Sequence, residues 1–201
     1  MYTINEHKHR FAIWTASAAS RQGIKIKGYK NELVKKAIDT ITITINAQGV
    51  TMRDIASNAI IQNKFCMNFD ESFINVCNKY IESINGNYEL ETDIFFGKAA
   101  KAVSVYFKTM VVCGGYVESN FGEKLYPPID RILMESIWKN KYEFFQGNED
   151  LINRFKYASR NNDKVKSWSQ LSQNEYQEII KILKEANNSG PLWKIEEYWS
   201  L

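Results

Sequence analysis

Apolar residues recur along this chain mostly three and four positions apart, the period of an α-helix rather than of a strand. The segment HRFAIWTASAASR predicts a helix over about residues 5–21, with Phe11, Trp14 and Ala18 at helical spacing, Arg21 following and Gly23 able to end it. Its TASAAS run leaves one face nearly bare, which suits close approach of another helix. A second, basic helix is expected over Lys30–Thr40, then helices over Met52–Gln62 and Asp70–Ile84, the latter with Asp70 as its cap. INGNYELET is expected to turn. GKAAKAVSVYFKTMVVCGG carries the clearest helical pattern: Ala99, Val103, Tyr106, Phe107, Met110 and Val111 form one apolar stripe, and Gly114-Gly115 supply a stop.

Downstream, the loop YVESNFGEKLYPP leads to a helix that begins near Asp130 and runs to about Lys139. Another helix is expected over residues 149–160. Ser172 and Glu175 form a capping box that opens a helix to about Ala186, and Asn188-Ser189-Gly190-Pro191 breaks it before the amphipathic LWKIEEYW. TITITIN, residues 40–46, alternates with period two but has no partner of equal quality, so it is read as a short extended segment or a helix end. The expected architecture is all-α, a compact multi-helix single domain over residues 1–201.

Composition narrows the class. Apolar residues make up 44% of the 201, enough for a substantial core, and there is no apolar run long enough to span a membrane. Three cysteines (Cys66, Cys77, Cys113), odd in number and without a CxxC, argue against a disulfide framework, a zinc ribbon or a four-cysteine iron–sulfur cluster, and suit a reduced cytoplasm. The net charge of +3 hides an asymmetry: residues 1–36 carry +6, residues 37–96 carry −5 and residues 97–201 carry +2. A basic end can follow phosphates or pair with the acidic middle.

The common chemistries lack parts. Both histidines, His7 and His9, lie near the N-terminus, and the chain has no GxxxxGK[ST], GxGxxG or GxSxG, so neither a metal nor a cofactor is expected. Lysine and carboxylate chemistry remains. Lys101 and Lys108, seven residues apart, share a helix face, and Lys98 lies one turn before Lys101. Asp130, just after Pro127-Pro128, would sit in the first turn of its helix, where a carboxylate meets the positive end of the helix dipole.

Taken together, KAVSVYFKTM followed by a loop and PPIDRIL resembles the core of the helix-hairpin-helix (HhH-GPD) DNA glycosylases, most closely the archaeal 8-oxoguanine type, over about 40 residues. The resemblance implies that Lys101 is the catalytic nucleophile, Lys98 its fallback if the register slips a turn, Lys108 the family's second lysine, and Asp130 the catalytic aspartate. It implies double-stranded DNA as partner and excision of an oxidised purine through a lysine Schiff base. The chain departs from the family's glycine-rich hairpin: ELETDIFFGKAAK offers only Gly97 and is acidic before it.

In that chemistry a fixed carboxylate stabilises positive charge on the sugar while a neutral amine attacks it. A free lysine is only about 0.04% neutral at pH 7, so the amine must be desolvated, crowded by cations or relieved of its proton. Trp14, Phe107 and Trp138 are candidate walls for an extruded base. Lys108, Arg131, Lys35 and Lys36 are candidate phosphate contacts, within a chain whose basic segments 21–36 and 154–166 could follow a DNA backbone. The alternative is a non-enzymatic helical interaction module or a nucleic-acid-associated regulatory protein, in which Lys101 is a solvated helix residue and Asp130 a helix-start residue.

Overall fold

A computed structural model describes residues 2–20, 50–87, 89–90, 94–187 and 190–199. The expected Lys30–Thr40 helix, the TITITIN segment, Lys35 and Lys36 lie outside these residues. The described chain is mostly helical. Helix α1 spans Ile4–Ser20, α2 Met52–Ser57, α3 Ala59–Met67, α4 Phe69–Asn87 and α5 Phe96–Val111. They are followed by α6 (Asn120–Lys124), α7 (Arg131–Lys139), α8 (Lys141–Phe144), α9 (Glu149–Ser159) and α10 (Gln173–Ala186), with 3-10 helices at Trp168–Gln170 and Leu192–Tyr198. Among the described residues none of the helices is long and apolar enough to cross a membrane.

Local chemistry accounts for most boundaries. The helix expected over 52–62 is two helices, because Asn58 is extended and its side chain accepts the N–H groups of Ile60 and Ile61, ending α2 and capping α3. The Ser172–Glu175 capping box opens α10 as expected. Gly115 adopts a positive φ of 87°, beyond the end of α5, where an L side chain would be strained. Residues 160–165 form a two-residue antiparallel hairpin, β1 (Arg160–Asn161) against β2 (Lys164–Val165), turning through Asn162 at φ 54°. That hairpin and the short helices α6 and α8 carry too few residues for a periodic signal.

Helix α5 is the centre of the molecule. Every stripe residue expected from its pattern (Ala99, Val103, Tyr106, Phe107, Met110, Val111) is buried. Helix α1 crosses it through small residues: Ala12 and Ala16 are wholly buried, while Phe11, Trp14 and Ala18, on the other side, are exposed. The bare TASAAS face, not the aromatic one, therefore meets the core, because small side chains allow the two backbones to approach. The Lys8 ammonium bonds the carbonyl of Gly114 and Thr15 Oγ1 lies 3.0 Å from Thr109 Oγ1, so α1 and α5 run in opposite directions. On the other side of α5, Phe65, Phe69, Phe107 and Phe121 form a cluster of edge-to-face and tilted rings 5.1–6.0 Å apart. Phe73 and Tyr126 extend it to Tyr176 of α10.

A lysine–aspartate cleft on the central helix

Helix α5 is buried around most of its circumference, and Lys101, Val105 and Lys108, continued by Val112 just past its end, mark its one partly exposed strip. Lys101, Val105 and Lys108 of that strip, with Thr109, line a cleft of about 350 Å³ completed by Thr15 and Ala19 of α1, Pro128, Asp130 and Leu133 at the start of α7, and Glu196 and Trp199 from the C-terminal segment. Its volume falls in the range of small-molecule sites.

Asp130 is the N-cap of α7, one position before the first turn in which the sequence places it. Its backbone is extended and its Oδ1 accepts the N–H of Leu133 at 2.9 Å. Pro128 thus precedes the helix rather than opening it. The other oxygen, Oδ2, receives the Lys101 ammonium at 3.3 Å. Both side chains are largely withdrawn from water, Lys101 at 14% exposure and Asp130 at 10%. The carboxylate is therefore divided: one oxygen fixes the helix start, and the second engages an amine. The ammonium also lies 4.3 Å from the centre of the Trp168 ring.

The second lysine does not stand as a spare cation. Lys108 donates to Glu196 Oε2. Burial raises the Glu196 carboxyl above its ordinary range; the Lys108 ammonium opposes that and the Asp130 charge adds to it. Glu196 Oε1 is out of solvent and has no hydrogen-bond partner. The cleft thus holds two lysine–carboxylate pairs, and crowding of Lys101 by the Lys108 charge is offset by Glu196.

Of the other expected site residues, Lys98 is buried in the first turn of α5 and is not one of the cleft's walls. Phe107 is fully buried in the aromatic core, Trp14 is exposed and stacked on Phe11, and Trp138 sits between Lys141 and Arg160. These three rings do not converge; Trp199 is the tryptophan that lines the cleft. Arg131 is exposed and 3.9 Å from Glu135, so it remains available at the surface. Glu196, Trp199 and Trp168 were not singled out from sequence. The C-terminal LWKIEEYW shows only an amphipathic pattern, which marks any helical end.

Gly97, the single glycine expected at the hairpin, belongs to α5 itself. A Cβ there would lie 2.0 Å from the carbonyl oxygen of Trp168, and its N–H donates to the carbonyl of Leu171 at 3.0 Å. The glycine admits a neighbouring strap of backbone. Residues 91–93, in the segment where the resemblance puts the hairpin, lie outside those described.

Against known protein families, curated proteins and solved structures, the chain has no significant match. What fold and site define is therefore a class by geometry: a mostly helical protein with a desolvated lysine–aspartate pair in an apolar cleft.

Proposed function

We propose that the protein is a DNA glycosylase/lyase that removes an oxidised purine from double-stranded DNA, with Lys101 as nucleophile and Asp130 as its electrostatic and proton partner. The observation that carries this reading is the 3.3 Å approach of Lys101 Nζ to Asp130 Oδ2 at the wall of the cleft, with both groups nearly dry. A lysine on a solvated helix face and an aspartate that only caps a helix need not meet.

The chemistry follows from those atoms. Asp130 Oδ2 takes a proton from the Lys101 ammonium, and the neutral amine attacks the sugar's anomeric carbon as the bond to the base breaks. The base departs with the electron pair of that bond and takes from the Asp130 carboxyl the proton that came from Lys101. Positive charge on the sugar is largest midway, where the carboxylate restored by that proton transfer, fixed in a dry site, stabilises it most. The amine–sugar adduct opens to a Schiff base, and loss of the adjacent sugar proton expels the 3′ phosphate by β-elimination. Trp199 offers an aromatic wall to the extruded base. Oδ1, committed to the Leu133 N–H, keeps Oδ2 aimed during these steps.

Borohydride trapping on a labelled duplex carrying one 8-oxoguanine tests the reading. A covalent protein–DNA band is expected with the wild type, none with Lys101→Gln, and a band reduced on the order of 10²–10⁴-fold with Asp130→Asn. Absence of any band on this and a panel of other lesions would leave the helical interaction module as the account of the cleft.

A further inference from the structure

Trp168 makes no wall of the cleft, yet its ring faces the one amine on which the proposed chemistry depends. We infer that Trp168 is a positioning residue for Lys101: the strap Trp168–Leu171, clamped onto Gly97, holds an indole face against the ammonium and restricts the amine to the approach that Asp130 shares. This inference rests on the glycosylase/lyase reading.

Three features support it. Lysine has a long, freely rotating stem, and an ion pair 3.3 Å long directs its end group only loosely. A ring centroid 4.3 Å away supplies the missing second restraint, since a cation is drawn to the centre of an indole face. The strap is itself registered on the same helix as the lysine. The Gly97 N–H holds the Leu171 carbonyl, Leu171 is buried, and the Trp168 carbonyl occupies the space that a Cβ at residue 97 would need. Gly97 precedes Lys101 by four residues, one helical turn, so the contact that fixes the strap and the amine it restrains share one face of α5. The adjoining Ser172 capping box then locks the strap's exit into α10.

The role predicts a loss in rate without a loss in DNA affinity. Expected for Trp168→Leu is a single-turnover trapping rate lower on the order of 10²-fold, with duplex binding unchanged within about twofold. Trp168→Phe, which keeps a ring face, is expected to recover most of the rate. Gly97→Ala, which displaces the strap by its backbone, is expected to match Trp168→Leu. A readout independent of catalysis accompanies these: in protein labelled at lysine, the ε-methylene protons of Lys101, assigned with Lys101→Gln, are expected upfield from the indole ring current and at ordinary positions in Trp168→Leu. Trapping that survives Trp168→Leu, or Lys101 protons without an upfield shift in the wild type, overturns this inference and leaves the lyase reading intact. If the wild type traps no lesion, the lyase reading falls and the positioning role falls with it. The wild-type resonance decides the placement even if the variants fail to fold.

Discussion

Among the described residues, two lysine–aspartate pairs join distant parts of the chain, and they differ in opposite senses. Lys184 of α10 holds Asp70 of α4 at 2.6 and 2.8 Å, with the Tyr126 hydroxyl donating to the same carboxylate, but the side chains are 41% and 61% exposed. Lys101 and Asp130 are farther apart, at 3.3 Å, and nearly dry. The shorter contact is the weaker tie, because water and salt screen it and an exposed pair contributes only about 0–1 kcal/mol. In the cleft, neither group can be removed without leaving a largely buried charge unpaired. Burial, rather than distance, separates a surface contact from a candidate site.

Asp70 also corrects an expectation. It lies in the first turn of α4 rather than capping it, and its oxygens serve Lys184 and Tyr126. Burial works against the Asp70 carboxylate, yet the Lys184 ammonium and the Tyr126 hydroxyl outweigh it and hold its pKa below the ordinary value. Tyr126 pays in the other direction, its own pKa raised by burial first and then by the neighbouring Asp70 charge.

The comparison can be broken most decisively in the trapping assay. Lys101→Ala is expected to abolish the covalent band, whereas Lys184→Ala leaves it unchanged; equal losses would show that either change merely disturbs the fold. In stability, Asp130→Ala is expected to cost about 2–4 kcal/mol by denaturant unfolding, combining a lost N-cap with an unpaired buried ammonium. Asp130→Asn, which still caps, should recover at least about 1 kcal/mol of that. Lys184→Ala should cost no more than about 1 kcal/mol after allowance for solvent screening, and the cost should shrink as salt is raised.

The smallest effects concern pH, and the two carboxylates have opposite signs. The Asp70 pKa is lowered in the folded state, so its contribution is present above the unfolded value and is lost as pH falls through the folded one. The Glu196 pKa is raised, so its contribution runs the other way: stability declines as pH rises from the ordinary carboxyl value of 4.5 through the raised folded value. Unfolding measured from pH 3 to 8, roughly the span in which carboxyls titrate, should show the acid-side loss removed in Asp70→Asn and the rise-side loss removed in Glu196→Gln. The same slope in wild type and Glu196→Gln would contradict the account of the cleft's second pair.

Legibility varied with the kind of residue. Asp130 was visible because two prolines and an apolar helix surround it, and Lys101 because it lies on the polar face of α5, seven residues from Lys108. The walls were not legible. Phe107 reads as well for a pocket as for a core, and only packing against Phe65 and Phe121 assigns it to the core. Glu196 and Trp168 are separated from Lys101 by 95 and 67 residues, and nothing local marks them as its neighbours.

The sequence by itself determined the long helices and the cap of α10, since hydrophobic period, the Ser172–Glu175 box and the glycines after α5 act within a turn or two of chain. It also narrowed the candidate chemistry to lysine and carboxylate. Only the tertiary structure decided which face of α1 is buried, which aromatic residues line the cleft, and that Lys108 is neutralised by Glu196. Those outcomes depend on burial and on contacts between distant segments, and the free energy of a charge is set by the solvent it loses, a quantity that no stretch of sequence carries alone.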